Sequence, residues 1–140
     1  MPEKTFRLFD HTADLGVEVF GTTEEELFVN AALAVVALST DPEKITSAEE
    51  RHFTVEGSDS ADLFVNYLRE VLYLINGKGF LTCEVNLVEI QPHYLRVTVR
   101  GERYDTRKHR IKKEIKAVTY HQETVEKTAT GWKGRVIFDV

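Results

Sequence analysis

The segment after Gly57 constrains the fold more than any other part of the chain. Ala61, Phe64, Val65, Leu68, Val71, Leu72 and Ile75 follow the i, i+3, i+4, i+7 spacing that gathers side chains on one face of an α-helix. Arg69 and Glu70 fall on the other face. Gly57-Ser58-Asp59 opens the helix and Asn76-Gly77 is the predicted stop. A helix with one apolar stripe must bury it against another element, so the fold is set by what the rest of the chain can offer.

Most of the remainder offers strands. Residues 6–9 and 15–20 are short alternating runs separated by Asp10-His11-Thr12-Ala13-Asp14. Thr23 with Glu26 three residues on forms a capping box, and Leu27, Ala31, Ala34, Val35 and Leu38 form the stripe of a second helix, which Asp41-Pro42 stops. Phe53 and Val55 mark a strand over 51–57. Val85, Leu87 and Ile90, then Leu95, Val97 and Val99, form a hairpin about Gln91-Pro92-His93. Residues 117–125 and 132–140 form a second pair through Thr128-Ala129-Thr130-Gly131. The expected fold is α+β: one two-layer domain over residues 1–140, two helices on one face of a mixed or largely antiparallel sheet.

Composition narrows the function classes. The chain has 140 residues, 42% hydrophobic and 29% charged, with a net charge of −5, which fits a globular protein and not a coat for nucleic acid or anionic membrane. Cys83 is the only cysteine, so no internal disulfide or multi-cysteine metal site can form. The start is charged and not an apolar signal core, and the longest apolar run, residues 31–38, is far short of the ~20 needed for a membrane span. A cytoplasmic location without membrane partners is the expectation. No GxxxxGK[ST], GxGxxG, GxSxG or HExxH motif is present. At the head of a strand, Cys83 reads either as a thiol nucleophile or as a buried structural thiol.

Four clusters could carry chemistry. Asp10, His11 and Asp14 offer hard oxygen ligands with an imidazole beside them, or form a polar turn bonded to its own backbone. At the other end, alternation puts Trp132, Val136, Phe138 and Val140 on one face and Arg135 and Asp139 on the other, with the Asp139 carboxylate beside the last main-chain oxygens. Such negative groups repel unless a cation lies between them, or the end points into water. Residues 101–116 hold seven Lys/Arg against three Asp/Glu in this acidic chain, either a basic docking patch or a solvated loop. Lys116, Thr119 and His121 share or border one face of the last cluster, where a lone strand histidine is more often packed than catalytic.

Taken together, DHTADLGVEVFG (10–21), EELFVNAALAVVAL (25–38), DLFVNYLREVLYL (62–74), GERYDTRKH (101–109), IKAVTYH (115–121) and WKGRVIFDV (132–140) resemble the archease family, in order and over nearly the whole chain. The resemblance implies an accessory protein, not a stand-alone enzyme. It would promote guanylylation and multiple turnover of an RtcB-type RNA ligase in tRNA splicing and RNA repair and broaden its nucleotide use, meeting tRNA at most indirectly through the ligase. It also implies a divalent metal, Ca²⁺, Mg²⁺ or Mn²⁺, held by Asp14, Asp139 and a main-chain or terminal oxygen of Val140. Asp10, His11, Asp105, His109 and His121 become candidates for partner contact. Two competing readings are a metal-dependent RNA-processing phosphoester hydrolase using Asp10, His11, Asp14 and Asp139, and a general folding chaperone.

Overall fold

Each helix begins where a side chain can take the free N–H groups of its first turn. The computed structural model describes residues 5–9, 14–119 and 123–140. Helix α1 (Glu24–Ser39) is capped by Thr23, whose hydroxyl accepts the Glu26 N–H at 3.0 Å. The Glu26 carboxylate reaches back to the Thr22 N–H at 3.1 Å, so the box closes one residue earlier than the usual pattern. Helix α2 (Ser60–Lys78) repeats the device: Asp59 accepts the Asp62 N–H at 2.8 Å and Asp62 accepts from Ser58 N–H at 2.8 Å.

Helix α2 runs past the predicted stop. Gly77 lies inside it, and the terminus is Gly79 in the left-handed conformation (φ 62°), its N–H returned to Ile75 and Leu74 carbonyls. Gly77 serves another purpose. A Cβ there would stand 2.4 Å from Cε1 of Tyr73, so the glycine lets the tyrosine ring lie flat on the helix.

The strands are β1 (Phe6–Phe9), β2 (Leu15–Gly21), β3 (Glu49–Glu56), β4 (Phe80–Gln91), β5 (Tyr94–Arg103), β6 (Ala117–Val118), β7 (Thr124–Thr128) and β8 (Gly131–Asp139). They do not form the single sheet expected. One sheet has the order β1-β2-β8-β6, with β7 also paired to β8; the other has the order β3-β5-β4. Every pairing is antiparallel. The expected strand over 117–125 is realised as β6 and β7, two separate stretches on one side of β8.

Both helices touch both sheets. The Phe64 ring of α2 fills the space a side chain on Gly134 of β8 would occupy, while Tyr67 lies 6.4 Å from Phe53 of β3. Helix α1 packs on β2 and on β4, and Leu27, Phe28, Ala31, Ala32, Ala34, Val35 and Val36 are all buried. A helix covered on several sides is apolar around most of its circumference, and α1 is. The core is one continuous cluster drawn from both helices and both sheets, with a small satellite of Val36, Ile45 and Leu81.

Candidate functional site

The antiparallel register of β2 and β8 decides where the distant carboxylates lie. Leu15, the first residue of β2, stands opposite Phe138, so Asp14 and Asp139 each adjoin the last registered pair, at the same end of the sheet. On its far side Asp139 is opposite Ala117 of β6, and the Lys116 N–H donates to the Asp139 carbonyl at 2.7 Å. That bond engages the main-chain oxygen of Asp139 and leaves its exposed carboxylate facing outward. Val140 follows directly, its side chain packed against the core and its main-chain oxygens at the same end of the sheet. Asp10, His11 and His121 lie outside the described residues.

The same face carries cations further along. Glu18, only 4% exposed, lies 2.5 Å from the Arg7 Nε, with Lys133 Nζ at 3.8 Å and Arg135 at 4.0 Å. The Arg135 guanidinium stacks 4.0 Å from the centroid of Phe9. Gly16 lies beneath that ring, a Cβ there falling 2.4 Å from Phe9 Cε2. Alternation had placed Arg135 and Asp139 on one face, and here the face is a cationic and aromatic row ending in the carboxylates. Glu18, the anchor of this row, carries no signal in the sequence beyond its alternation.

The charged segment 101–116 divides into cations with carboxylate partners and cations that have none among the described residues. Glu102 accepts from Thr46 N–H at 2.7 Å and lies 2.7 Å from Lys108 Nζ and 2.9 Å from His109 Nε2. These partners, Lys108 first and then the Thr46 N–H, pull its carboxyl down to about 2. Asp41 holds Arg110 at 3.5 Å and Lys112 at 3.6 Å, and Asp105 holds Arg107 at 3.4 Å. The Arg107 N–H, followed by its side chain, lowers the Asp105 carboxyl.

His109 corrects an expectation. Its side chain is fully buried, and Nδ1 accepts the Asp105 N–H at 2.9 Å while Nε2 meets Glu102. Both ring nitrogens are used inside the fold, so the imidazole is not offered to a partner. Asp105, named with it, stitches the 105–109 turn through the Arg107 N–H at 2.9 Å. The histidine instead supports Tyr104, whose ring stacks on it at 6.1 Å. Cys83 is half-buried, and burial followed by the charge of Glu84 raises its thiol pKa, which works against a thiolate nucleophile.

Fold and site together define an α+β protein with two antiparallel sheets about two helices, with Asp14 and Asp139 flanking one end of the β2–β8 pairing. Residues 6–140 match the model of the Archease protein family (MTH1598/TM1083), and the chain belongs to that family. It is 36% identical to the protein archease of Methanosarcina mazei, over 98% of this chain and 97% of that one. The protein archease of Pyrococcus abyssi is 34% identical over 98% and 99%. The solution structure of protein 1598 from Methanobacterium thermoautotrophicum superposes with a TM-score of 0.80, at 32% identity over 97% and 99% of the two chains. A crystal structure from Thermotoga maritima, described as an archease and possible chaperone, gives 0.66 at 25% identity over 100% and 98%.

Proposed function

We propose that this protein is an accessory activator of an RtcB-type RNA ligase in the cytoplasm, working through a divalent-metal site of Asp14, Asp139 and the main-chain or terminal oxygens of Val140. The observation that supports the reading is the β2–β8 register, whose last pair, Leu15 with Phe138, leaves Asp14 and Asp139 next in line at one sheet end although they are 125 positions apart in the sequence. Two carboxylates brought to one sheet end repel as they approach, and a cation between them removes the repulsion. The donors are all oxygen, suited to Ca²⁺, Mg²⁺ or Mn²⁺ and poorly suited to zinc.

Among the described residues no three His, Cys, Asp or Glu side chains converge as a metal-holding group, so the two aspartates need main-chain oxygens, water or a partner's groups to complete the shell. Such a half-open site suits a protein that acts on another protein's active site better than a self-contained hydrolase. A bound divalent ion would supply positive charge against phosphate oxygens. The protein's own part is to hold the carboxylates at the rim of a rigid sheet, with Lys116 fixed beside them through its backbone. The possible-chaperone description of the Thermotoga relative also supports an accessory role. No helix among the described residues is long and apolar enough to cross a membrane.

The test is guanylylation and multiple-turnover ligation by a purified RtcB-type ligase, with substoichiometric amounts of this protein. Wild type accelerates both steps. Asp14→Ala accelerates neither, yet keeps the native circular dichroism spectrum, because residue 14 lies outside the apolar core. RNA or phosphoester turnover by the protein alone, lost in Asp14→Asn, overturns the reading in favour of a hydrolase.

A further inference from the structure

Two shallow clefts of about 250 and 260 Å³ meet at the C-terminal end of α2, and Asn76 lines both. The first is lined by Tyr104, Ile111 and Lys113, the second by Arg69, Tyr73 and Lys116. Tyr73 is 51% and Tyr104 39% exposed, among the most exposed large apolar side chains described. Each ring is bedded on a neighbour of the fold. Tyr73 lies on Gly77, and Tyr104 stacks on the buried His109. The Tyr104 N–H donates to the Gly79 carbonyl at 2.6 Å, which pins it six residues, or about 9 Å of helix rise, beyond Tyr73.

Most of the charged residues lining these clefts are cations. Lys78 Nζ stands 5.7 Å from the Tyr73 centroid, and Lys78, Lys113 and Lys116 are exposed with no carboxylate partner among the described residues. Neighbouring Arg107, Lys108, Arg110 and Lys112 are held by Asp105, Glu102 and Asp41, so the unpartnered lysines mark the open side. Glu114 is the one carboxylate among the residues lining the two clefts. The second cleft ends at Lys116 and Ala117, directly beside Asp139.

Aromatic faces alternating with cations are how proteins hold single strands: every base has a face to stack, and every linkage carries a phosphate. We propose that this face is a track for single-stranded RNA, with bases on Tyr73 and Tyr104 and phosphates on Lys78, Lys113 and Lys116, leading towards the Asp14–Asp139 end. The choice of RNA rests on the ligase reading above; the track rests on the rings and lysines. It recasts the basic segment: its paired cations stitch the loop down, and Lys113 and Lys116 face the strand.

The experiment uses the protein alone, without ligase. Binding of a fluorescent single-stranded oligoribonucleotide is followed by anisotropy across salt concentrations, with the same sequence as a duplex for comparison. Single strand binds more tightly than duplex. Tyr73→Leu and Tyr104→Leu each weaken binding by about tenfold. Lys113→Gln and Lys78→Gln each flatten the dependence of log K on log salt by about 0.7. Arg96→Gln, on the outer face of β5, changes neither quantity, and circular dichroism confirms that all variants fold. Equal affinity for duplex and single strand, no response to the tyrosine variants, or no binding by wild type overturns the track. If the variants bind RNA normally but fail to activate a ligase, the face docks protein and the RNA track is wrong. Normal RNA binding by wild type without ligase activation leaves the track standing and removes the ligase reading.

Discussion

Replacing Tyr67 with phenylalanine is expected to stabilise the protein, against the usual outcome of a core substitution. Tyr67 is 0% exposed, its ring packed 5.4 Å from Phe28 and 6.4 Å from Phe53. Its hydroxyl has no hydrogen-bond partner among the described residues. An unsatisfied buried hydroxyl costs about 1–3 kcal/mol, and removing it leaves every ring contact in place. Allowing for the small void left by one oxygen, Tyr67→Phe should gain about 1 kcal/mol near neutral pH. Alkaline pH sharpens the test. Burial pushes this phenol well above its ordinary value of 10.0, so the folded state keeps the proton that the unfolded chain releases. Wild type therefore loses stability as pH rises through 10, whereas the phenylalanine variant lacks that loss. The gap between them should widen by up to about 1.4 kcal/mol per pH unit. Urea unfolding from pH 7 to 11, read as a shift in midpoint at constant slope, measures both effects. Destabilisation of Tyr67→Phe by 1 kcal/mol or more, at the order of one buried hydrogen bond, with no widening above pH 10, would refute the reasoning.

Other perturbations follow from the same contacts. Thr23→Ala removes the cap of α1 and should lower stability by about 1 kcal/mol in chemical denaturation, while Thr23→Ser restores most of it. Gly101→Ala puts a Cβ 1.9 Å from the Leu81 carbonyl oxygen; backbone cannot swing aside as a side chain can, so a loss of about 3 kcal/mol or more is expected, seen as a fall in thermal midpoint. Glu102, lowered to about 2 chiefly by Lys108 and the Thr46 N–H, contributes stability that is present above its unfolded value of 4.5 and lost as pH falls towards 2. Acid unfolding of Glu102→Gln should therefore be flatter than wild type between those limits.

How much was legible depended on whether a signal was local. Thr23 and Glu26 declare a helix start in four residues, and Asp59 does the same for α2, because a cap needs only its own first turn. The hairpin of β4 and β5 was readable from alternation around Gln91-Pro92-His93. Gly77 misled: as a residue type it reads as a stop, but its absent side chain makes room for Tyr73, a neighbour visible only on the folded helix. The basic segment left its two readings open for the same reason. Its net charge is a sum, while the partners that neutralise Arg110 and Lys112 come from Asp41, some 70 residues earlier.

The sequence by itself determined the two helices, most of the strands and the residue types of the carboxylate end, because periodicity and capping depend on neighbours in the chain. It also carried family membership, since ordered motifs persist along nearly its whole length. Only tertiary structure decided that the strands divide into two sheets, that α1 is covered from several sides, and that His109 is a buried prop for Tyr104. Pairing between strands far apart in sequence is settled by which register buries both apolar faces at once. That same register, joining the first strands to the last, brings residues 14 and 139 to one end of the sheet.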